Sequence, residues 1–340
     1  MTELIHDVDQ IDFDRAGKHH YQVAFHLDSA WGYSLVPLTV INGTRAAGAA
    51  GSAVAVFGGT HGNEYEGQIA VKRLCRELAA EEISGRVILI PQLSESACRA
   101  GTRVSPLDGV NMNRAFPGSM RGTLSYRISN FVKTRVFPLV SVVIDLHSGG
   151  NEAVFSLCTS IHRVPDPQQQ REMIEAARLF DTPFIFIYSR QMASGLLTDE
   201  AEDEGKIAIG GEFGYAEGSS PRGVRHAFEG VRNVLRRYGL LAGEVTRVAA
   251  EGTPPPRLVA APDLKDYIPC PRDGVWEPLM EPGADVSEGQ PIGRIHDFAD
   301  HASDPLEIRA HRAGVIIAQY FPAVCRKGLT LFVIAQDFAL

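Results

Sequence analysis

Residues 52 to 59 read SAVAVFGG, and from Gly67 the chain continues GQIAVKRLCRELAAEE. The first run is short, apolar and partly β-branched, which suits a strand buried on both faces. The second places Ile69, Ala70, Leu74 and Leu78 at spacings of one to four, a stripe along a helix whose other faces carry charge. The same alternation returns in RVILIPQL (86 to 93), a helix-like SYRISNFVKTRVF (125 to 137), SVVIDLHSGG (141 to 150) and QQQREMIEAARLF (168 to 180). It goes on through PFIFIY (183 to 188), KIAIGGEFG (206 to 214) and RGVRHAFEGVRNVLRRYGLL (222 to 241). Buried strands separated by amphipathic helices are covered when the strands lie side by side and the helices pack over them. The expected fold class is therefore α/β, a mostly parallel sheet with helices on both faces. Ligands of such sheets gather beyond the carboxyl ends of the strands.

Around residues 250 to 263, AEGTPPPRLVAAPD, three successive prolines break both periodicities and predict a linker. After it come short β-like runs with Gly, Pro and Asp turns, DGVWEPLMEPGADVSEGQPIGRI, EIRAHRAGVIIAQY and LTLFVIA, which predict a small C-terminal all-β domain. The expected division is a main domain over 1–249, with YQVAFHLD and YSLVPLTVI as its N-terminal strands, a linker over 250–263 and the β domain over 264–340. The β domain resembles biotinyl and lipoyl carrier folds. Its HDFADHASDPLEIRAH segment has no lysine to modify, so it reads as a scaffold that either shapes a pocket or builds a homo-oligomer interface.

The formal charge of -8 and the lack of any dense Lys/Arg run argue against nucleic-acid or anionic-membrane partners, both of which need a basic footprint. A small molecule is the expected partner. The first twenty residues carry acids where a signal peptide needs a basic start and an apolar core, so a cytoplasmic location is expected. Five cysteines, Cys75, Cys98, Cys158, Cys270 and Cys325, are scattered without a CxxC pair and read as reduced.

The joint between the first strand and its helix reads GGTHGNEYEG. His61 and Glu64 lie three residues apart just past the strand's carboxyl end, where one turn aims both side chains at a point. His147 ends another apolar strand in VVIDLHSGG, and Glu212 holds the equivalent place in IAIGGEFG. Two histidines and a carboxylate that leave a fourth position open are the ligand set of a catalytic zinc site. Taken alone, a His-x-x-Glu pair is more often a surface pair; its position at the ends of buried strands is what points to a metal hydrolase. Asp145, on the same strand and same side as His147, can either support it or cap a neighbouring helix. Between these strands runs AGTRVSPLDGVNMNRAFPG (100 to 118), a loop by composition. Its Arg103, Asn113 and Arg114 suit an anionic ligand, because a guanidinium can give a carboxylate two parallel hydrogen bonds. His19, His20, His162, His226, His296, His301 and His311 have no partner at useful spacing.

GGTHGNEYEG, RVSPLDGVNMNRAFPG, DLHSGG and GGEFG stand in the order seen in the succinylglutamate desuccinylase/aspartoacylase family of the zinc carboxypeptidase superfamily, which the chain resembles from about residue 30 onward. Within it, DSAWG (28 to 32), HGNEYEGQIA and the 100 to 118 loop are most similar to the N-alpha-acetyl-L-2,4-diaminobutyrate deacetylases of ectoine degradation. The resemblance implies one zinc per chain on His61, Glu64 and His147, and Glu212 as general base. It implies further that Arg103 stabilises the oxyanion, that Asn113 and Arg114 hold the substrate carboxylate, and that the substrate is a small N-acyl amino acid. One departure is GGEFG itself, where such deacetylases usually carry TELGG, so the pocket beside Glu212 is expected to differ. Three alternatives stay open: a deacylase of another N-acyl amino acid, a metallocarboxypeptidase and, more remotely, a nucleotide-binding protein that uses the Gly-rich turn. The last lacks the endings of both common phosphate-binding motifs.

Overall fold

The computed structural model describes residues 2–28, 30–45 and 53–339, so Ser29 of DSAWG and Ser52 of the first apolar run lie outside it. The chain begins with β1 (Thr2–Ile5), β2 (Gly17–His26), β3 (Tyr33–Asn42), β4 (Ala53–Gly58), α1 (Tyr65–Glu77), β5 (Arg86–Ile90), α2 (Glu95–Ala100) and α3 (Leu124–Phe131). Then follow β6 (Val142–His147), β7 (Ala153–Phe155), β8 (Cys158–His162), α4 (Pro167–Arg178), β9 (Phe184–Tyr188), α5 (Leu197–Asp203), β10 (Ile207–Glu212) and α6 (Pro221–Arg237). Last come β11 (Arg257–Ala261), β12 (Tyr267–Pro269), β13 (Gly274–Pro278), β14 (Asp285–Val286), β15 (Pro291–His296), β16 (Leu306–Arg309), β17 (Gly314–Tyr320), β18 (Val324–Cys325) and β19 (Thr330–Asp337).

The expected α/β architecture is present. One large sheet runs in the order β1-β2-β3-β5-β4-β6-β10-β8-β9-β11-β19-β17-β14, with β12 on β19 and β7 on β17. Its centre, β5-β4-β6-β10, is parallel, as is β8-β9-β11, while β10 meets β8 antiparallel. Strand alternation explains the covering. In β4, which is buried throughout, Val54 and Val56 face a core shared with α1, α4 and α6, whereas Ala53, Ala55 and Phe57 face a second core with α3 and α5. α6 starts where Ser220 accepts a hydrogen bond from the Gly223 N–H at 3.1 Å and Pro221 takes the first helical position. The helix expected over 125 to 137 is α-helical only to Phe131, then loosens into a π turn (Val132–Val136) and a tight turn (Phe137–Leu139). Pro138 accounts for the ending, since it has no N–H to continue the ladder.

The stretch read as a linker needs correcting. Its prolines are irregular, but Arg257–Ala261 is a strand, parallel to β9 and antiparallel to β19. RLVAA is an apolar run that the preceding prolines obscured, and Arg257 is the first residue after them able to donate, to the Pro183 carbonyl at 2.9 Å. Through β11 the main sheet therefore continues into the C-terminal β structure, which adds a separate antiparallel sheet, β16-β15-β13-β18. Trp276 on Phe332, ring centroids 5.2 Å apart, packs between the two sheets. Among the described residues no helix is long and apolar enough to cross a membrane.

Candidate active site

β4 and β6 deliver the first three side chains. After β4 the chain turns through Gly59, whose φ of +66° suits a residue without a Cβ, and His61 and Glu64 follow before α1 begins. Glu64 occupies the capping position of α1 yet makes no capping bond. Its carboxylate instead lies between two imidazoles, 2.7 Å from His61 Nδ1 and 2.8 Å from His147 Nδ1, and also accepts from the Ser148 N–H at 3.1 Å. One donor atom from each of the three residues lies within 4.8 Å of the others. His61 and Glu64 are only 3% and 2% exposed, so this is an interior cluster and not a surface pair.

The outer ring nitrogens fix which face each imidazole presents. His61 Nε2 is 3.0 Å from Asn111 Oδ1, and His147 Nε2 is 2.7 Å from Asp145 Oδ2, whose other oxygen accepts from Thr60 at 2.7 Å. Donation outward through Nε2–H leaves both Nδ1 lone pairs aimed inward, the arrangement that orients metal-binding histidines. The electrostatics favour a proton on His147 Nδ1 as well, shared with Glu64, which a bound cation would displace. Burial alone would raise the Glu64 pKa, but His61 and His147 hold it well below the usual carboxylate range. Burial would likewise lower that of His147, and the Asp145 and Glu64 carboxylates outweigh it to push it well above the usual value. His61 is lowered by burial, with Glu64 opposing.

Glu212 ends β10 directly opposite His147 in the sheet register and lines the same cavity. Burial, and then the charge of Glu64, push its carboxyl up to about 8. Its Oε2 is buried without a hydrogen-bond partner. An orphaned carboxylate oxygen beside two imidazoles and a second carboxylate fits a site meant to hold a cation and a water. His61, Glu64 and His147 are the residues that would hold the ion, and nitrogen and oxygen donors in that ratio suit zinc.

Arg103 joins the cluster through Nη1, which donates to Glu64 Oε1 at 3.1 Å. Arg114 lines the cavity with no carboxylate within 4.0 Å among the described residues; its Nη1 donates to the Asn113 carbonyl at 2.6 Å. Asn113 is already engaged: its Oδ1 accepts from the Leu197 N–H at 3.0 Å and its Nδ2 stands 3.3 Å from His147 Nε2. It ties the start of α5 to the cluster and keeps only its amide nitrogen toward the cavity.

The cavity, about 310 Å³, takes in His61, Glu64, Arg103, Asn113, Arg114, His147 and Glu212, with Asp145 behind His147 outside its lining. It also takes in Glu152, Tyr188, Thr198, Tyr267 and Val333, none of which carried a local signal. Tyr267 and Val333 come from β12 and β19, so the C-terminal β structure forms part of the wall. The GGEFG departure has a structural reason. A Cβ at Gly210 would stand 2.8 Å from Ser160 Oγ and one at Gly211 2.5 Å from the Phe213 ring. Phe213 itself is buried against Phe180 in the helix-facing core, away from the cavity.

A second cluster was invisible to spacing. His162 Nδ1 lies 2.9 Å from Glu202 Oε2 and 3.3 Å from Asp199 Oδ1, and its ring meets Tyr188 at a tilt, centroids 3.9 Å apart. This group already contains a cation, because Arg190 Nη2 donates to the same Glu202 oxygen at 2.6 Å.

Inward-facing donors at the strand ends of a helix-covered α/β sheet, with an unpartnered carboxylate oxygen and two guanidinium groups around one cavity, make a candidate metal site. The model of the succinylglutamate desuccinylase/aspartoacylase catalytic domain matches residues 50–238, and the chain belongs to that family. It is 35% identical over 329 residues, 96% of this chain and 94% of the other, to the N-alpha-acetyl-L-2,4-diaminobutyric acid deacetylase of Halomonas elongata. The crystal structure of a succinylglutamate desuccinylase/aspartoacylase from Rhodobacter sphaeroides superposes with a TM-score of 0.90 at 31% identity, covering 97% of this chain and 98% of that one. The product-bound ectoine utilization protein EutE (DoeB) of Ruegeria pomeroyi gives 0.87 at 31% identity, covering 96% and 98%.

Proposed function

We propose that this protein is a zinc-dependent deacylase of a small N-acyl amino acid, and that its substrate is N-alpha-acetyl-L-2,4-diaminobutyrate, formed in ectoine degradation. The observation that carries the reading is the convergence of His61, Glu64 and His147 with the unpartnered Glu212 oxygen in one cavity. The names of the Halomonas and Ruegeria relatives support the substrate. A cavity of about 310 Å³, walled in part by Tyr267 and Val333, suits a small amide better than a peptide and favours this over a carboxypeptidase.

A zinc ion in that donor set would supply a Lewis acid that brings the pKa of a water toward neutrality, and its charge would return Glu212 to the ionised form. Glu212 then takes a proton from the attacking water on its free oxygen and later gives it to the departing amine. Arg103 donates to the amide oxygen as negative charge develops there, a contribution usually worth about 3 kcal/mol for one such donor. Arg114, the guanidinium without a carboxylate of its own, clamps the substrate carboxylate, with the Asn113 amide nitrogen beside it. The acetyl group faces the buried side of the cavity, where Phe186 and Leu196 exclude water. Acetate release from N-alpha-acetyl-2,4-diaminobutyrate by the zinc-loaded protein, with N-acetylaspartate and N-succinylglutamate alongside, tests this. Selective release from the first compound is expected; full zinc occupancy with no cleavage of any of the three would sink the reading.

A further inference from the structure

Three carboxylates line the cavity: Glu64, Glu152 and Glu212. Glu64 lies between the histidines and Glu212 serves the proton transfers, which leaves Glu152 without a part in the chemistry. It sits in the turn after His147, and its backbone is fixed on both sides. Its N–H donates to the Gly149 carbonyl at 3.2 Å, and its carbonyl accepts from the Phe321 N–H at 3.0 Å. Its carboxylate stands 3.6 Å from Nε of Arg103, the same guanidinium that reaches Glu64 at 3.1 Å through Nη1. Glu152 is thus one guanidinium's width from the donor cluster. Next to it a further hollow of about 200 Å³ shares Ala153, Phe155, Tyr267 and Val333 with the main cavity and leaves room for a side chain.

The charges around the cavity are sorted. Arg103 and Arg114 present positive charge to an amide oxygen and a carboxylate, and Glu152, held only by the 3.6 Å contact with Arg103 among the described residues, presents negative charge that can also meet a cation. Resting on the deacylase reading above, we propose that Glu152 is the specificity-determining residue, pairing with an ammonium on the substrate's side chain, so that the site selects N-acylated diamino acids. In 2,4-diaminobutyrate that ammonium lies two methylenes beyond the α carbon, a short span like the one between Glu152 and the cluster. Glu152 is 63% exposed on its side chain, so it can meet the ligand without first giving up a buried partner. The pairing strengthens as the substrate displaces water from the cavity. The same carboxylate repels the acidic side chains of N-acylated aspartate and glutamate, and discrimination needs that repulsion as much as the attraction.

The test compares two substrates of nearly the same shape, N-alpha-acetyl-2,4-diaminobutyrate and N-acetylnorvaline, in which a methyl group replaces the ammonium. With zinc-loaded protein, Glu152→Gln is expected to lower the ratio of kcat/KM for the first over the second by about tenfold, the scale of one charge-assisted hydrogen bond. Glu152→Lys is expected to move preference toward N-acetylglutamate. Taking the ratio removes any general effect that Glu152 exerts through Arg103. A ratio in the Gln variant indistinguishable from that of the unaltered protein overturns the proposal, as does an unaltered protein that shows no preference for the ammonium. An unaltered protein that cleaves neither compound while holding its zinc removes the deacylase reading itself, and the proposal with it.

Discussion

His61 with Glu64 and His147, and His162 with Asp199 and Glu202, satisfy the same geometric condition: three potential ligands with donor atoms within 4.8 Å. They differ in what balances the charge. In the second group Arg190 supplies a permanent cation, bonding Glu202 at 2.6 Å and Asp203 at 2.8 Å, and although Asp199 Oδ1 has no hydrogen-bond partner, none of the three residues lines the cavity. In the first, Arg103 reaches only one oxygen of Glu64, while a neighbouring carboxylate, Glu212, keeps an oxygen without any donor. Residue types at close range do not make a metal site. An unmet demand for positive charge, open to a cavity, does.

The largest expected effect breaks the symmetry between the two groups. Glu212→Gln should lower turnover by about a thousandfold while zinc content is kept, because it removes only the proton acceptor. Glu202→Gln should leave turnover essentially as it was. Steady-state rates with metal analysis of both variants check this, and a Glu212→Gln protein of near-full rate would contradict the assigned base.

Next in size, Arg190→Met should strand the fully buried Glu202 carboxylate with His162 alone, at a cost of about 3 kcal/mol in stability. Urea unfolding measures it; unchanged zinc content is expected, and loss of the metal would argue that the second group is the metal site. Asp145→Asn weakens the outer partner of His147 and should reduce zinc affinity by about 10-fold to 100-fold. Competition with a chelator gives the number, and an unaltered affinity would mean that Asp145 does not orient the ligand.

The smallest effect concerns Asp199. Its pKa is raised, chiefly by burial, so its folded form holds a proton more tightly than the unfolded chain does. Such a group favours folding below its unfolded pKa, near 3.9, and that contribution is lost as pH rises through the folded value. At neutral pH the ionised side chain is therefore a small burden, and Asp199→Asn should raise stability by about 0.5 kcal/mol. The gain should vanish below about pH 4, where both states are protonated. Thermal unfolding of the two proteins at neutral and acid pH decides it; destabilisation at neutral pH would show that the charge is instead used by Arg190 and His162.

How much of this could be read from the chain follows from distance along it. His61, Glu64, His147 and Glu212 were legible because each lies within a few residues of a strand end, and the strand-then-helix rhythm locates strand ends. Arg103, Asn113 and Arg114 stood out as charged and amide groups in a loop between those strands. The rest depends on contacts that no local pattern encodes. Glu202 is 40 residues from His162, and Tyr267 and Val333 reach the cavity only because β11 carries the main sheet into the C-terminal β structure. That strand was hidden by the prolines before it. The short β7 and α5 lacked enough turns of either period to register. The GGEFG glycines make room for Ser160, which lines the cavity, and for Phe213, which does not.

The most direct measurement is zinc stoichiometry after dialysis for the unaltered protein, His61→Gln and His162→Gln. One zinc per chain in the first and third, with none in the second, is expected if the open cluster at the ends of β4 and β6 is the metal site and the Arg190-bound cluster is structural. Zinc kept by His61→Gln and lost by His162→Gln would reverse that assignment and contradict the central claim.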